Sequence, residues 1–210
     1  MSKLLKIKHW QLFIFLFVVP FVCQIFFMVT SISLAVDNDN PEEVFSIFKY
    51  FPFVVMIPLG VLFAWLWSIG VEFAQYLPSG IKMNKKLFKI FFFVPLCYFL
   101  LLMITISVLF NAMPEMIANS EPPSFLFNPS FPLIVFLYLM LHLFSIFCLF
   151  YCFYFTAKTY KSVILGREAL LSDYIGEFFM IWFNVIGIWL IQPKINRIVD
   201  KGDTGNILDQ

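Results

Sequence analysis

Four long apolar runs, separated by short polar segments, constrain this chain more than any other feature of its sequence. They cover residues 11–36, 52–77, 87–112 and 132–157. A helix needs about 20 apolar residues to cross the ~30 Å hydrocarbon layer of a bilayer, and each run meets that length. Lipid offers no partner to an exposed backbone N–H or C=O group, so each run must be helical. The sequence therefore predicts an all-α, polytopic protein with one membrane domain over residues 1–210.

The composition excludes two other classes of protein. Hydrophobic residues make up 61% of the chain and charged residues only 13%. Soluble domains carry about 25% charged residues, and a core of this apolar content would lack a polar shell. The net charge is +1, whereas nucleic-acid binding usually requires a concentrated basic face. We therefore expect membrane lipids as the surroundings and no nucleic-acid partner.

The first apolar run could also be interpreted as a secretory signal, because Lys residues precede it and Ser33-Leu34-Ala35 resembles a cleavage site. However, the run is much longer than the apolar core of a signal peptide. The sequence favours an uncleaved first helix.

The positions of Lys and Arg predict the orientation. With the C-terminal tail inside, 13 of the 14 bases lie in the N-terminal segment, in the loop after the second span, or after the fourth span. Lys49 is then the only base in the acidic loops 37–51 and 113–131. Excess Lys and Arg marks the cytoplasmic side. Both termini are therefore predicted to be cytoplasmic.

The chain after the fourth span is harder to place. Residues 160–177 have the pattern of an amphipathic helix that lies in the membrane plane, with Gly166 as a break from the fourth span. Residues 178–192 form a short apolar stretch of roughly 22 Å as a helix, which suits a re-entrant segment better than a crossing. A crossing would also move three bases of the tail 193–210 outside. Both alternatives, a re-entrant and a fifth membrane segment, stay open.

The two halves resemble copies of one helical hairpin. Residues 17–23 (FVVPFVC) parallel residues 92–97 (FFVPLC), and both return helices open with Phe-Pro, at Phe51-Pro52 and Phe131-Pro132. This similarity fits either a parallel repeat or coincidence in apolar sequence. The deeper prolines, Pro20, Pro58 and Pro95, are expected to kink or loosen their helices.

The second span carries a face of small residues at every fourth position, formed by Gly60, Ala64 and Ser68. Small residues at this spacing let helices approach closely in lipid. Glu72 continues the same face one turn later, so we expect it to face protein.

Three polar residues inside apolar segments are candidates for function, since such groups are costly in a membrane. Glu72 is interpreted as a partner for Lys82, Lys85 or Lys86, or as a proton or cation ligand. His142 is interpreted as a neutral ring hydrogen-bonded across helices, or as a proton relay or metal ligand. A direct pair of Glu72 with His142 is not expected, because they differ in depth by about 15 Å. Asn184 interrupts the short apolar stretch and requires a hydrogen-bond partner.

A second group of candidates forms a polar elbow after the fourth span, with Arg167, Glu168, Asp173 and Glu177 as its main charges. The elbow is interpreted as a membrane-surface anchor held by internal ion pairs, or as a docking or lipid-headgroup site on the cytoplasmic face.

The segments EFF, WF, IGIW and IQPKIN within residues 176–196 resemble the C-terminal tail of small uncharacterised bacterial multispan membrane proteins. The resemblance covers only this segment; it implies the inner (plasma) membrane of a bacterium as the location and implies no activity.

The sequence contains no phosphate loop, HExxH motif, nucleophile elbow or cofactor fingerprint, so it predicts no catalytic residue, cofactor or metal site. Cys148 and Cys152 lie on one helix face but lack further ligands, which favours apolar packing. The favoured function is a non-enzymatic membrane subunit or scaffold that forms a homo-oligomer or binds a membrane-protein partner. The alternatives are an oligomeric transporter or channel component, and a lipid-acting enzyme that uses Glu168, Asp173 or Glu177.

Overall fold

A computed structural model of the chain describes residues 3–37, 48, 50–119 and 127–208. Within these residues, a short 3-10 turn, Lys3–Lys6, precedes six helices. Four of these are long and apolar enough to cross a membrane, and the last two form a bent pair. We number them α1 (His9–Val36), α2 (Phe51–Tyr76), α3 (Lys85–Asn119), α4 (Phe131–Leu165), α5 (Leu171–Trp182) and α6 (Asn184–Leu208).

The predicted all-α polytopic class and its four spans are confirmed, although α3 and α4 are longer than expected. Each has 35 residues, or about 52 Å at 1.5 Å per residue, which exceeds the hydrocarbon thickness. Both return helices begin with Phe-Pro in the first turn as predicted, where the missing proline N–H has no intrahelical partner to lose.

The amphipathic helix predicted to start at Tyr160 starts later. Residues 160–165 still belong to α4, because no helix breaker precedes Gly166. Gly166 ends α4 in the left-handed conformation (φ 64°), which glycine adopts without the steric penalty of a side chain. The next helix begins only at Leu171.

The short apolar stretch 178–192 is divided between two helices and does not form one straight helix. The chain bends by 120° between α5 and α6, and Phe183 at the bend has left the helical region (φ −84°, ψ 63°). The two helices therefore form a hairpin that returns towards its starting side. A bent pair of this kind fits both alternatives, a re-entrant segment and a broken fifth span.

Buried side chains gather at one end of the bundle. They come from the start of α1, the end of α2, the start of α3, the end of α4 and the α5–α6 hairpin, and include Leu12, Phe73, Phe88, Phe155 and Ile188. The Phe88 and Phe155 rings are stacked with centroids 4.5 Å apart, an arrangement worth about 0.5–1.5 kcal/mol beyond the area it buries. Since successive spans run in opposite directions, this end also holds the N-terminal turn.

Proline acts differently in the first and third spans. A π turn over Ile14–Val18 directly precedes Pro20, where a wider turn accommodates the ring that would clash with a carbonyl four residues back. At Pro95, the position that parallels Pro20, the helix α3 continues as an ordinary α-helix. The possible duplication of the two hairpins stays a prediction.

Another helix comes closest to α2 at Gly70. The predicted face of small residues does not make a close contact along its whole length. Ser68 is buried, but Gly60 is exposed and a Cβ there would meet nothing within 4 Å. A second π turn, Ser68–Glu72, breaks the four-residue spacing. A Cβ at Gly70 would lie 2.6 Å from Cζ of Phe88, so glycine is what lets α3 approach.

Replacing Gly70 with alanine should lower the free energy of unfolding by about 1–3 kcal/mol, the usual range for overpacking. The Phe88 ring cannot easily move away because it is fully buried and stacked on Phe155. Gly60→Ala is the matched control and should be neutral or slightly stabilising. Thermal unfolding in detergent compares the two; equal effects would contradict the assignment of the close approach to Gly70.

Candidate functional site

The polar elbow is held by three ion pairs. Lys158 Nζ lies 2.7 Å from Glu168 Oε1, and Lys161 Nζ lies 2.5 Å from Glu177 Oε1. These pairs tie the end of α4 to the turn and to α5. Each acidic partner was a sequence candidate, and each is engaged within the chain.

The third pair joins Arg167 to Asp173 in a two-pronged contact. Arg167 Nη1 and Nη2 donate to the two carboxylate oxygens at 2.8 and 3.2 Å. Asp173 also accepts the Leu170 backbone N–H at 2.9 Å, which satisfies a donor at the start of α5. The Ala169 N–H donates to Ser162 Oγ at 3.0 Å. The structure thus brings Arg167, Glu168, Asp173 and Glu177 together as a braced turn.

The two acids of the turn remain ionised at neutral pH. The hydrogen bond from Lys158 holds the pKa of the Glu168 carboxyl below its ordinary value. The hydrogen bond from Arg167, followed by that from the Leu170 N–H, lowers the pKa of Asp173. A carboxyl that is held ionised by a base is a poor proton donor near neutrality.

These lowered pKa values predict a loss of stability in acid. A carboxyl with a depressed pKa in the folded state stabilises that state above its ordinary pKa of about 4, and the contribution disappears as the pH falls through the folded-state pKa. Thermal unfolding of the native chain and of the Glu168→Gln, Asp173→Asn double variant should therefore differ at neutral pH. The difference should begin to shrink as the pH falls below about 4 and should close once the pH is below the folded-state pKa values of both acids. If the two proteins differed equally in thermal stability at neutral and at acid pH, the two carboxylates would not be the source of the pH dependence.

A buried hydrogen-bond cluster at Gln192 joins three distant parts of the chain. Gln192 is only 1% exposed. Its Oε1 accepts from Trp65 Nε1 at 2.8 Å. Its Nε2 donates to the carbonyls of Leu5 and Ile7 at 3.2 and 3.0 Å and to Asn196 Oδ1 at 2.9 Å.

Asn196 extends this cluster, since its amide donates to the carbonyls of Lys6 and Ile7 at 3.4 and 3.2 Å. The helix α6 is thereby fixed to the N-terminal segment and to α2. The sequence placed Gln192 and Asn196 among the polar residues of the elbow, but it did not predict their contacts with the N-terminal segment or with Trp65. The spacing of Gln192 and Asn196 by four residues after an apolar run was the available indication, but it names no partner.

His142 contacts the third span and not Glu72. Its Nδ1 lies 2.7 Å from the Tyr98 hydroxyl on α3, as the interpretation of a ring hydrogen-bonded across helices expects. Tyr98 is itself buried. The Tyr138 ring lies one helical turn from His142 and contacts the Tyr98 ring, with centroids 5.7 Å apart.

Glu72 ends the π turn of α2, next to the N-terminal turn. Its Oε2 is buried without a hydrogen-bond partner, and no ion pair joins it to Lys82, Lys85 or Lys86 within the described ranges. The structure therefore does not show the predicted pairing with these lysines.

Asn184 lies at the tip of the α5–α6 hairpin, as the first residue of α6, and is half-buried. The bend explains how a polar residue is tolerated between two apolar segments. Among the described residues, no group of three or more His, Cys, Asp or Glu side chains could hold a metal ion. Cys148 and Cys152 are buried in the interior of the bundle.

The four spanning helices, the bent pair and the absence of strands from the described residues define a multi-pass helical membrane protein. The chain matches no protein-family profile, no curated protein and no solved structure.

Proposed function

We propose that the chain is a non-enzymatic integral membrane subunit or scaffold, which acts through helix packing and through the elbow. The observation that carries the proposal is that the charges of the elbow pair with one another. Together with the Gln192 cluster, they brace one end of the molecule against itself. A braced end suits a fixed surface for assembly better than a site that must accept and release a substrate.

The long outer surfaces of the spans support assembly with other helices. In the most apolar 18-residue window of α1 and of α4, only 11% of the residues are buried within this chain. A second copy or a membrane-protein partner has room to pack there, where van der Waals contact drives association in lipid.

The two other functions are less well supported. A lipid-acting enzyme would use Glu168, Asp173 or Glu177, and each of these carboxylates is already ion-paired. A transporter or channel component would need a polar path to His142. The groove that reaches His142 is lined mainly by apolar side chains, which does not favour the passage of ions.

The test is the mass of the complex extracted in a mild detergent, measured by native mass spectrometry. We expect a discrete homo-oligomer or a stoichiometric complex with one membrane protein. A stable monomer that captures no partner would contradict the scaffold.

A charge swap at the elbow separates a scaffold from an enzyme. Arg167→Asp alone should weaken the complex because it places two acids together. Adding Asp173→Arg restores an ion pair of reversed polarity and should restore the complex. An enzyme that needs the Asp173 carboxylate would stay inactive in the swapped variant, so phenotypic loss without loss of the complex would favour the enzyme.

We further propose the cytoplasmic location of both termini in a bacterial plasma membrane. The contacts of Gln192 with Leu5 and Ile7 support a location of both termini on the same side of the membrane. The excess of Lys and Arg near the termini supports the cytoplasmic side. In a cysteine-free background, Lys3→Cys and Lys201→Cys should both resist a membrane-impermeant thiol reagent until the cells are opened. Labelling of either residue in intact cells would contradict this orientation.

A further inference from the structure

A groove between α3 and α4 reaches the pair formed by His142 and Tyr98. Its volume is about 650 Å³, within the range of roughly 300–1,000 Å³ that is typical of small-molecule sites. The lining residues from α4 include Ile134, Tyr138 and His142, and α3 contributes Tyr98 and Thr105.

The groove presents polar atoms that lack partners. The Tyr138 hydroxyl is buried; it interacts with the Tyr98 side chain but makes no hydrogen bond of standard geometry with the described residues. A buried hydroxyl without a partner is unfavourable. His142 uses Nδ1 towards Tyr98 and keeps Nε2 for another contact. A bound molecule could supply the missing partner to either atom.

Other features of the lining define the chemistry of that molecule. No Lys, Arg, Asp or Glu lines the groove in the described part of the chain, so an anionic phosphate headgroup would find no counter-charge. Four aromatic rings line the groove, those of Tyr98, Phe131, Tyr138 and His142, and aromatic rings pack favourably against a flat, conjugated group.

The groove opens sideways, because Ile134 and Leu139 on its rim are 57% and 50% exposed. In a bilayer this side faces acyl chains, so an apolar tail can extend from the groove into lipid.

We propose that the groove binds an uncharged, lipid-soluble molecule with a planar, carbonyl-bearing head and an apolar tail, of the quinone class. The Tyr138 O–H donates to a carbonyl oxygen of the head, and the neighbouring rings pack on its face. The site is a binding site, separate from the elbow, and the proposal does not depend on the scaffold function.

The experiment measures binding of a benzoquinone with a decyl tail to the full chain in lipid nanodiscs, by equilibrium titration. We expect saturable binding by the native protein. Tyr138→Phe removes only the hydroxyl and should weaken binding about tenfold, the loss expected for one buried hydrogen bond. Tyr151→Phe, on the same helix but outside the groove, is the matched control and should bind as the native protein does.

Ile134→Trp fills the groove and should abolish binding. Three results would overturn the proposal: no saturable binding, equal affinity for Tyr138→Phe and native protein, or equal affinity for decylbenzene, which has the ring and tail without carbonyls. Tighter binding of dioctanoylglycerol than of the quinone would also overturn it, since that lipid lacks a planar head. Disulfide cross-linking of Ile134→Cys between two copies that excludes the quinone would assign the groove to an oligomer interface instead.

Discussion

Replacing Gln192 with leucine should lower the free energy of unfolding by about 2–6 kcal/mol. The Trp65 indole N–H and the Leu5 carbonyl would lose a partner. Asn196 would still donate to the Ile7 carbonyl, so two buried groups are orphaned, at about 1–3 kcal/mol each. For a chain of this size, each kcal/mol shifts the thermal midpoint by roughly 2–4 °C, which is readily measured by thermal unfolding in detergent.

The control for this variant is Gln75→Leu, which changes an exposed glutamine of the second span and should leave the midpoint nearly unchanged. Trp65→Phe tests the assigned contact. If the indole N–H is bonded to Gln192, Trp65→Phe should destabilise the native chain more than it destabilises the Gln192→Leu variant. The reason is that the effects of two substitutions within one hydrogen-bond network are not additive. Additive effects would mean that the two side chains act independently.

Replacing Gly187 with alanine should open the α5–α6 hairpin. A Cβ at this position would lie 2.1 Å from the Met180 carbonyl oxygen, and a backbone atom cannot rotate away as the end of a side chain can. We expect a loss of about 3 kcal/mol, at the upper end of the range for overpacking. Since Gln192 follows Gly187 on the same helix, the variant should also displace the buried cluster from the N-terminal segment.

Gly176→Ala is the matched control within the same hairpin. A Cβ at Gly176 would meet nothing within 4 Å, so alanine there should be neutral or up to about 1 kcal/mol stabilising through its better helix propensity. Thermal unfolding and cysteine accessibility near the bend would compare the two variants. If Gly187→Ala were as stable as Gly176→Ala, the close approach of the two helices would be refuted.

Both predictions concern the braced end of the molecule, and they connect stability to the proposed scaffold. If the elbow and the hairpin form one rigid surface, Gly187→Ala should weaken assembly even though Gly187 lies away from the ion pairs. Loss of stability with an unchanged complex would separate the hairpin from the assembly surface.

The structure of the elbow was only partly predictable from the sequence. Arg167 and Asp173 are close in sequence and both follow the glycine break at Gly166, so a local ion pair was a reasonable interpretation. The start of the following helix was misplaced by eleven positions, from Tyr160 to Leu171. The amphipathic pattern of residues 160–165 continues a helix as readily as it begins one, and only the backbone at Gly166 decides between them.

The sequence by itself determined the class of protein, the four spans and the return helices that begin with Phe-Pro. These depend on local properties, namely the hydropathy of about 20 consecutive residues and the missing N–H of proline, and lipid acts on each segment separately. Only the tertiary structure decided which polar groups meet. Gln192 and Leu5 are 187 positions apart, and His142 and Tyr98 are 44 apart. Such pairs depend on how each helix is rotated about its axis, and that rotation is set by the packing of neighbouring helices, including the close approaches at Gly70 and Gly187.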